Sequence, residues 1–189
     1  MIGKKNVVFG FLFLVFTAGL GPVMVNMYQD WGAANAEKQQ VVGRLQALAS
    51  TDFEEDPDTL DELDAKALAV VDAEAILAMN KVGALEFGID YIKGGPHAHG
   101  NLESLLNIAV GLTLAFLSVG ALFKQVISWC FILGTLFHSG LLYLERVFQL
   151  DWAGSLLATG IGPVLILVGL LLTGIAAFKG LQPRPVEDG

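Results

Sequence analysis

The chain has 189 residues, of which 54% are apolar and 16% are charged, and its mean hydropathy is +0.61. Soluble globular domains carry about 25% charged residues, so this composition excludes an ordinary water-soluble protein and indicates a membrane protein. The formal net charge of −8 excludes nucleic acid as a partner, because binding to phosphates needs clustered lysine and arginine.

Four apolar stretches contain no charged residue. Each is close to the roughly 20 helical residues that cross a hydrocarbon core. Backbone groups in lipid must form their hydrogen bonds internally, so we expect these stretches to be helices. They cover residues 7–25, 104–123, 126–144 and 152–178. The first stretch is long for a secretory signal, so we expect an uncleaved anchor.

This pattern predicts an all-α integral membrane protein: a four-helix bundle with an outward-facing acidic helical hairpin between the first and second transmembrane helices. The expected divisions are transmembrane helix 1 (1–26), an extracytoplasmic acidic helical insert (27–98), transmembrane helices 2–4 (99–179) and a cytoplasmic tail (180–189). A tight turn at Lys124 and Gln125 would join the second and third helices as antiparallel neighbours.

Basic residues predict the orientation of the chain. In a four-span arrangement one side carries Lys4, Lys5, Lys124, Lys179 and Arg184. The positive-inside rule puts that side, with both termini, in the cytoplasm. We expect a bacterial plasma membrane, with the lipid bilayer and other membrane protein subunits as partners.

The insert holds most of the acidic residues. Residues 33–49 and 59–85 have helical patterns, and Asp56-Pro57-Asp58 between them is a turn signal. Thr59 and Glu62 have the spacing of a capping box. We expect a helical hairpin whose negative field would attract a basic soluble partner.

Two short motifs of the form Gly-x-Gly-Pro occur at residues 19–22 and 160–163, in the first and fourth predicted spans. We favour close helix packing through their small residues. The functional alternative is that prolines in mid-helix bend both spans and open a cavity.

The most informative polar residues flank the second and third spans. His99, Glu103 and Asn107 recur every four residues and so share a helix face. His138 and Glu145, seven residues apart, would share a face of the third span. We therefore expect a cluster of His99, Glu103, His138 and Glu145 near the outer interface, and these four residues are the candidate metal ligands.

Two further residues complete this predicted cluster. His97 is a less favoured ligand, placed outermost beside a proline and glycines. Asn107 is expected to form hydrogen bonds to the ligand residues without binding the metal itself, as residues around metal sites commonly do.

Three interpretations of the cluster stay open. In the simplest, His138 bonds to Asn107 or Glu103 and fixes helix packing. In the second, the cluster binds copper, zinc or iron, which imidazole and carboxylate ligands suit. In the third, b-type haem or a quinone binds there. A height offset of well over one turn between His99 and His138 argues against both as axial ligands of one haem.

The sequence carries no hydrolase triad, no paired cysteines and no glycine-rich nucleotide loop. It does not decide whether the protein is an enzyme. We predict an accessory or interaction subunit of a larger membrane protein complex. The alternative is a transition-metal-binding or redox membrane protein, followed by a protein that binds haem b or a quinone.

Overall fold

A computed structural model describes residues 1–186, and all regular structure in this range is helical, which confirms the all-α class. Two π-helical turns, Lys93–His97 and Leu136–Gly140, interrupt the α-helices. The α-helices are α1 Lys4–Ala18, α2 Leu20–Ala49, α3 Ala65–Ile92, α4 Ala98–Ala115, α5 Ala121–Thr135, α6 Leu141–Arg146, α7 Asp151–Leu157 and α8 Ile161–Gly180.

The contacts divide the chain into two compact units. The first consists of Met1–Pro22 together with the chain from Tyr91 onward, and the second is Val23–Asp90. The polar residues around His99 and His138 all belong to the first unit.

Three helical stretches are long and apolar enough to cross a membrane: Lys4–Ala49, Ala121–Arg146 and Ile161–Gly180. They confirm the membrane character that the composition predicts. The predicted second span is not among them. Its helix, α4, has 18 residues and includes His99, Glu103 and Asn107, which lower its hydropathy.

The predicted turn at Lys124 and Gln125 is wrong. Helix α4 ends at Ala115 and α5 begins at Ala121, so the chain turns over residues 116–120. The extended ψ angle of 144° at Gly120 marks the start of α5. Lys124 and Gln125 lie inside α5. Lys124 is buried, so this part of α5 packs against neighbouring helices.

The fourth predicted span, 152–178, is two helices rather than one. Helix α7 ends at Leu157 and α8 begins at Ile161. Between them Gly160 has a φ of +69°, a left-handed conformation that glycine adopts without the penalty of a Cβ. Pro163 therefore lies in the first turn of α8, where its missing N–H is tolerated, and does not bend a continuous helix.

Small residues bring the helices of the first unit close together in antiparallel pairs. A Cβ at Gly10 of α1 would lie 2.6 Å from the carbonyl oxygen of Ser104 in α4. A Cβ at Gly134 of α5 would lie 2.6 Å from Cγ1 of Ile166 in α8. Close packing through small residues is typical of membrane helices, which gain little from hydrophobic burial. The core of this unit is formed by Val110, Leu114, Leu117, Ile127, Phe131, Ile166 and Ala176.

These antiparallel pairs separate charge along the first unit. One end, here called the basic end, carries Lys4, Lys5, Lys124, Lys179 and Arg184. The other, here called the histidine end, contains the carboxylates of this unit within residues 1–186. They are Glu103, Glu145 and Asp151, and they are accompanied by Lys93 and Arg146.

In the second unit, side chains connect the long helices α2 and α3. Lys81 forms an ion pair with Glu37 at 2.6 Å. Helix α3 starts at Ala65, and the side chain of Asp64 accepts a hydrogen bond from the N–H of Ala67 at 2.6 Å. The predicted capping box of Thr59 is therefore wrong, because Asp64 is the residue that caps this helix.

Candidate metal centre

Three of the predicted ligands come together at the histidine end. His99 and Glu103 lie one turn apart near the start of α4, and His138 lies in the π-helical turn after α5. One ligand atom from each of the three lies within 4.8 Å of the others. We refer to His99, Glu103 and His138 as the metal triad.

Glu103 is the buried centre of the metal triad, with 4% of its surface exposed. Its Oε1 lies 2.5 Å from Nδ1 of His138, in a hydrogen bond. Its Oε2 accepts a hydrogen bond of 2.6 Å from the hydroxyl of Ser139. Both carboxylate oxygens therefore have partners, as a carboxylate removed from water requires.

His99 is exposed and lies over His138 in an edge contact, with 4.9 Å between the ring centroids and 63° between the ring planes. The predicted height offset between these rings is therefore wrong. This prediction failed because the turn between α4 and α5 was expected at the wrong residues. Because the chain turns at 116–120 instead of 124–125, α5 shifts along α4 and His138 lies level with Glu103.

The π-helical turn Leu136–Gly140 shapes the site. It presents His138 and Ser139, which are consecutive residues, to the two oxygens of one carboxylate. Helix α8 packs directly on this turn: a Cβ at Gly162 would lie 2.5 Å from the backbone nitrogen of His138. Wide turns of this kind are frequent at functional sites.

Glu145, the fourth predicted ligand, is not part of the metal triad. Its Oε1 accepts a hydrogen bond of 3.4 Å from the Tyr91 hydroxyl, and its Oε2 lies 3.9 Å from Nε of Arg146. Residues seven apart share a face only in an uninterrupted α-helix. The π-helical turn adds a residue between His138 and Glu145, so the two no longer point the same way.

His97 also lies outside the metal triad. Its Nδ1–H donates a hydrogen bond of 2.9 Å to the carbonyl oxygen of Thr17, which ties the start of α4 to α1. It is half-buried rather than solvated. His97 ends the π-helical turn Lys93–His97, which is kinked at Gly95, two residues before it.

Asn107 belongs to a second polar group, one turn along α4. Its Nδ2 donates to the hydroxyl of Thr135 at 2.9 Å and to the carbonyl oxygen of Glu103 at 3.0 Å. Its Oδ1 accepts from Nδ2 of Asn6 at 3.0 Å. Asn6 also bonds to Ser128, through the serine carbonyl and hydroxyl. Asn107 thus supports the backbone of Glu103.

Sequence reasoning missed Ser139 and the other members of the polar group around Asn107, which are Asn6, Ser128 and Thr135. A signal for two of them existed, because Ser128 and Thr135 are seven residues apart in an apolar stretch and so share one face of α5. No spacing in the sequence indicated Ser139, because its position beside Glu103 depends on the π-helical turn.

Two imidazoles and one carboxylate around one point form a ligand set that zinc and iron sites use. The exposed position of His99 leaves one side of the metal triad accessible. A haem with both histidines as axial ligands would need its porphyrin between the two rings, but these rings contact each other directly. No protein-family model, no curated protein and no solved structure matches this chain.

Proposed function

We propose that this protein binds a first-row transition metal ion at the metal triad, within a membrane and close to its outer surface. The observation that supports this is the convergence of three ligand atoms, from α4 and the turn after α5, within 4.8 Å. An ion would take the place of the hydrogen bond between Glu103 and His138. The exposed side chain of His99 would change its rotamer and bind the same ion as the third ligand.

The chemistry of these ligands narrows the choice of ion. Imidazole favours copper, zinc and iron over magnesium or calcium, and a single carboxylate adds affinity for zinc and iron. A set of two histidines and one carboxylate leaves coordination positions open, and such positions are what metal-dependent binding or redox chemistry uses. Ser139 would hold the second carboxylate oxygen and so fix the ligand's orientation.

The membrane arrangement that goes with this function has four spans. Helix α4, at about 1.5 Å per residue, is roughly 27 Å long, close to the hydrocarbon thickness. Its Glu103 and Asn107 are buried against neighbouring helices and so avoid lipid. The basic end would lie in the cytoplasm of a bacterial cell with both termini. The acidic helical hairpin would project outward.

Copper(II) is a suitable probe for the metal triad. The full chain, purified in detergent, is incubated with Cu²⁺, freed of excess ion by gel filtration and analysed for bound copper. We expect one ion per chain, with hyperfine splitting from two imidazole nitrogens in its electron paramagnetic resonance spectrum. His138→Gln and His99→Ala should each lose the ion or one of the two nitrogen couplings.

His97→Ala is the matched control, because His97 lies two residues from His99 but bonds to the Thr17 carbonyl. It should keep the ion and both nitrogen couplings. Gel filtration and circular dichroism check that each variant is folded. Copper binding that survives in folded His138→Gln with an unchanged spectrum would refute the proposal.

Three other roles stay predictions. An accessory subunit would use the exposed apolar side chains of α1 and α8 against partner helices, although acyl chains would suit these surfaces equally well. A basic soluble partner would dock on the acidic second unit. A quinone, or a haem with one histidine ligand, would bind at the histidine end.

A further inference from the structure

A groove of about 740 Å³ lies at the basic end, on the side of the first unit where α1 begins. It is lined by Lys4, Lys5, Val8, Phe9, Leu12 and Gln125, together with the first two residues of the chain. Its position is at the opposite end of α4 and α5 from the metal triad. Its chemistry is unrelated to the metal ligands.

The groove is cationic at one end and apolar along its length. Lys4 and Lys5 form the cationic end, and within residues 1–186 no carboxylate lines the groove. Val8 and Leu12 are exposed apolar side chains on the same helix. From Lys4 to Leu12 the helix rises roughly 12 Å, which is the depth of the upper part of an acyl chain.

Lys5 is held in place at the rim of the groove. Its ammonium group donates a hydrogen bond of 2.5 Å to Oε1 of Gln125 in α5. It also lies 4.2 Å from the centroid of the Trp129 ring, a favourable cation–π distance. Trp129 is itself 48% exposed, as expected for a tryptophan at a membrane interface.

We infer that this groove binds an anionic phospholipid, with the phosphate between Lys4 and Lys5 and an acyl chain along Val8, Phe9 and Leu12. A soluble anion would need the lysines but not the apolar wall. A zwitterionic lipid would gain less from these two cations, because no carboxylate of residues 1–186 lines the groove beside them. Basic pockets at the cytoplasmic side of membrane helices commonly bind acidic headgroups.

Trp129 gives a direct readout, because brominated acyl chains quench nearby tryptophan fluorescence. The full chain with Trp31→Phe and Trp152→Phe is reconstituted into phosphatidylcholine vesicles that contain a minor fraction of brominated lipid. Brominated phosphatidylglycerol is compared with brominated phosphatidylcholine. We expect phosphatidylglycerol to bind beside Trp129 more tightly than phosphatidylcholine. The ratio of the two affinities should be about fivefold for each lysine that contacts the headgroup.

Variants of the lysines test whether the preference for phosphatidylglycerol comes from the groove. Lys4→Gln with Lys5→Gln should abolish it, and Lys4→Arg with Lys5→Arg should retain it. Lys179→Gln, at the same end but outside the groove lining, should leave it unchanged. If the double glutamine variant does not fold, Lys4→Gln alone should still lower the preference about fivefold, because its side chain is exposed.

Four results would overturn the inference. The first is equal quenching by the two brominated lipids. The second is a preference for phosphatidylglycerol that is undiminished in folded Lys4→Gln. The third is loss of that preference when inorganic phosphate is added, which would indicate a site for soluble anions. The fourth is quenching by neither lipid, which would reject a lipid site beside Trp129.

Discussion

The hydroxyl of Ser139 donates a hydrogen bond of 2.6 Å to Oε2 of Glu103, while the neighbouring residue, His138, bonds to Oε1 of the same carboxylate. Two consecutive residues of one helix thus hold both oxygens of a buried acid on another. The serine fixes the plane of the carboxylate, and so decides where Oε1 lies relative to the two histidines.

Replacing Ser139 by alanine should weaken copper binding about 10- to 100-fold, because residues that orient a ligand commonly contribute that much to metal affinity. Affinity is measured by competition with a chelator of known copper affinity. Ser155→Ala, at an exposed serine of α7, is the control and should bind copper normally. Equal affinity in the two variants would show that Ser139 does not orient the ligand.

Glu145→Gln tests whether the fourth predicted ligand takes part. Glu145 bonds to Tyr91 and lies beside Arg146, outside the metal triad. Copper affinity should therefore be unchanged. Stability should fall by less than about 1 kcal/mol, because partly exposed ion pairs contribute little. A clear drop in copper affinity in this variant would return Glu145 to the ligand set.

Asn6→Ala removes the side chain that links α1 to both α4 and α5. Its amide bonds to Asn107 and Ser128 in a buried setting. Loss of this group leaves buried partners unsatisfied, which costs about 1–3 kcal/mol. Unfolding in mixed micelles with increasing dodecyl sulfate measures the loss. Asn26→Ala, at an exposed helical position, should change stability by less than half as much.

Gly162→Ala tests the contact between α8 and the π-helical turn. The new Cβ would lie 2.5 Å from the backbone nitrogen of His138, so one of the two helices must move. We expect a loss of about 1–3 kcal/mol in stability, typical of overpacking, together with weaker copper binding. Gly174→Ala, in the same helix with no atom within 4 Å of the added Cβ, should be neutral or stabilising.

The sequence predicted the features that depend on local spacing. The membrane character followed from composition, and the pairing of His99 with Glu103 followed from their separation by one helical turn. His138 was placed in the same cluster because a polar residue in an apolar stretch has to face another helix.

The sequence could not predict features that depend on how one helix packs on another. The π-helical turn Leu136–Gly140 has no marker of its own, yet it brings Ser139 to Glu103 and turns Glu145 away. The true turn at 116–120 is as apolar as the helices around it. The break at Gly160 was hidden because no charged residue interrupts the apolar stretch on either side of it.

The separation of charge between the basic end and the histidine end has an electrical consequence. In the proposed orientation the lysines of the basic end face the interior of the cell, which is negative in an energised membrane. Inserting the protein upside down would move these charges against the transmembrane voltage, at about 2.3 kcal/mol for each charge per 100 mV. A respiring membrane would therefore reinforce the insertion direction that the lysines already favour.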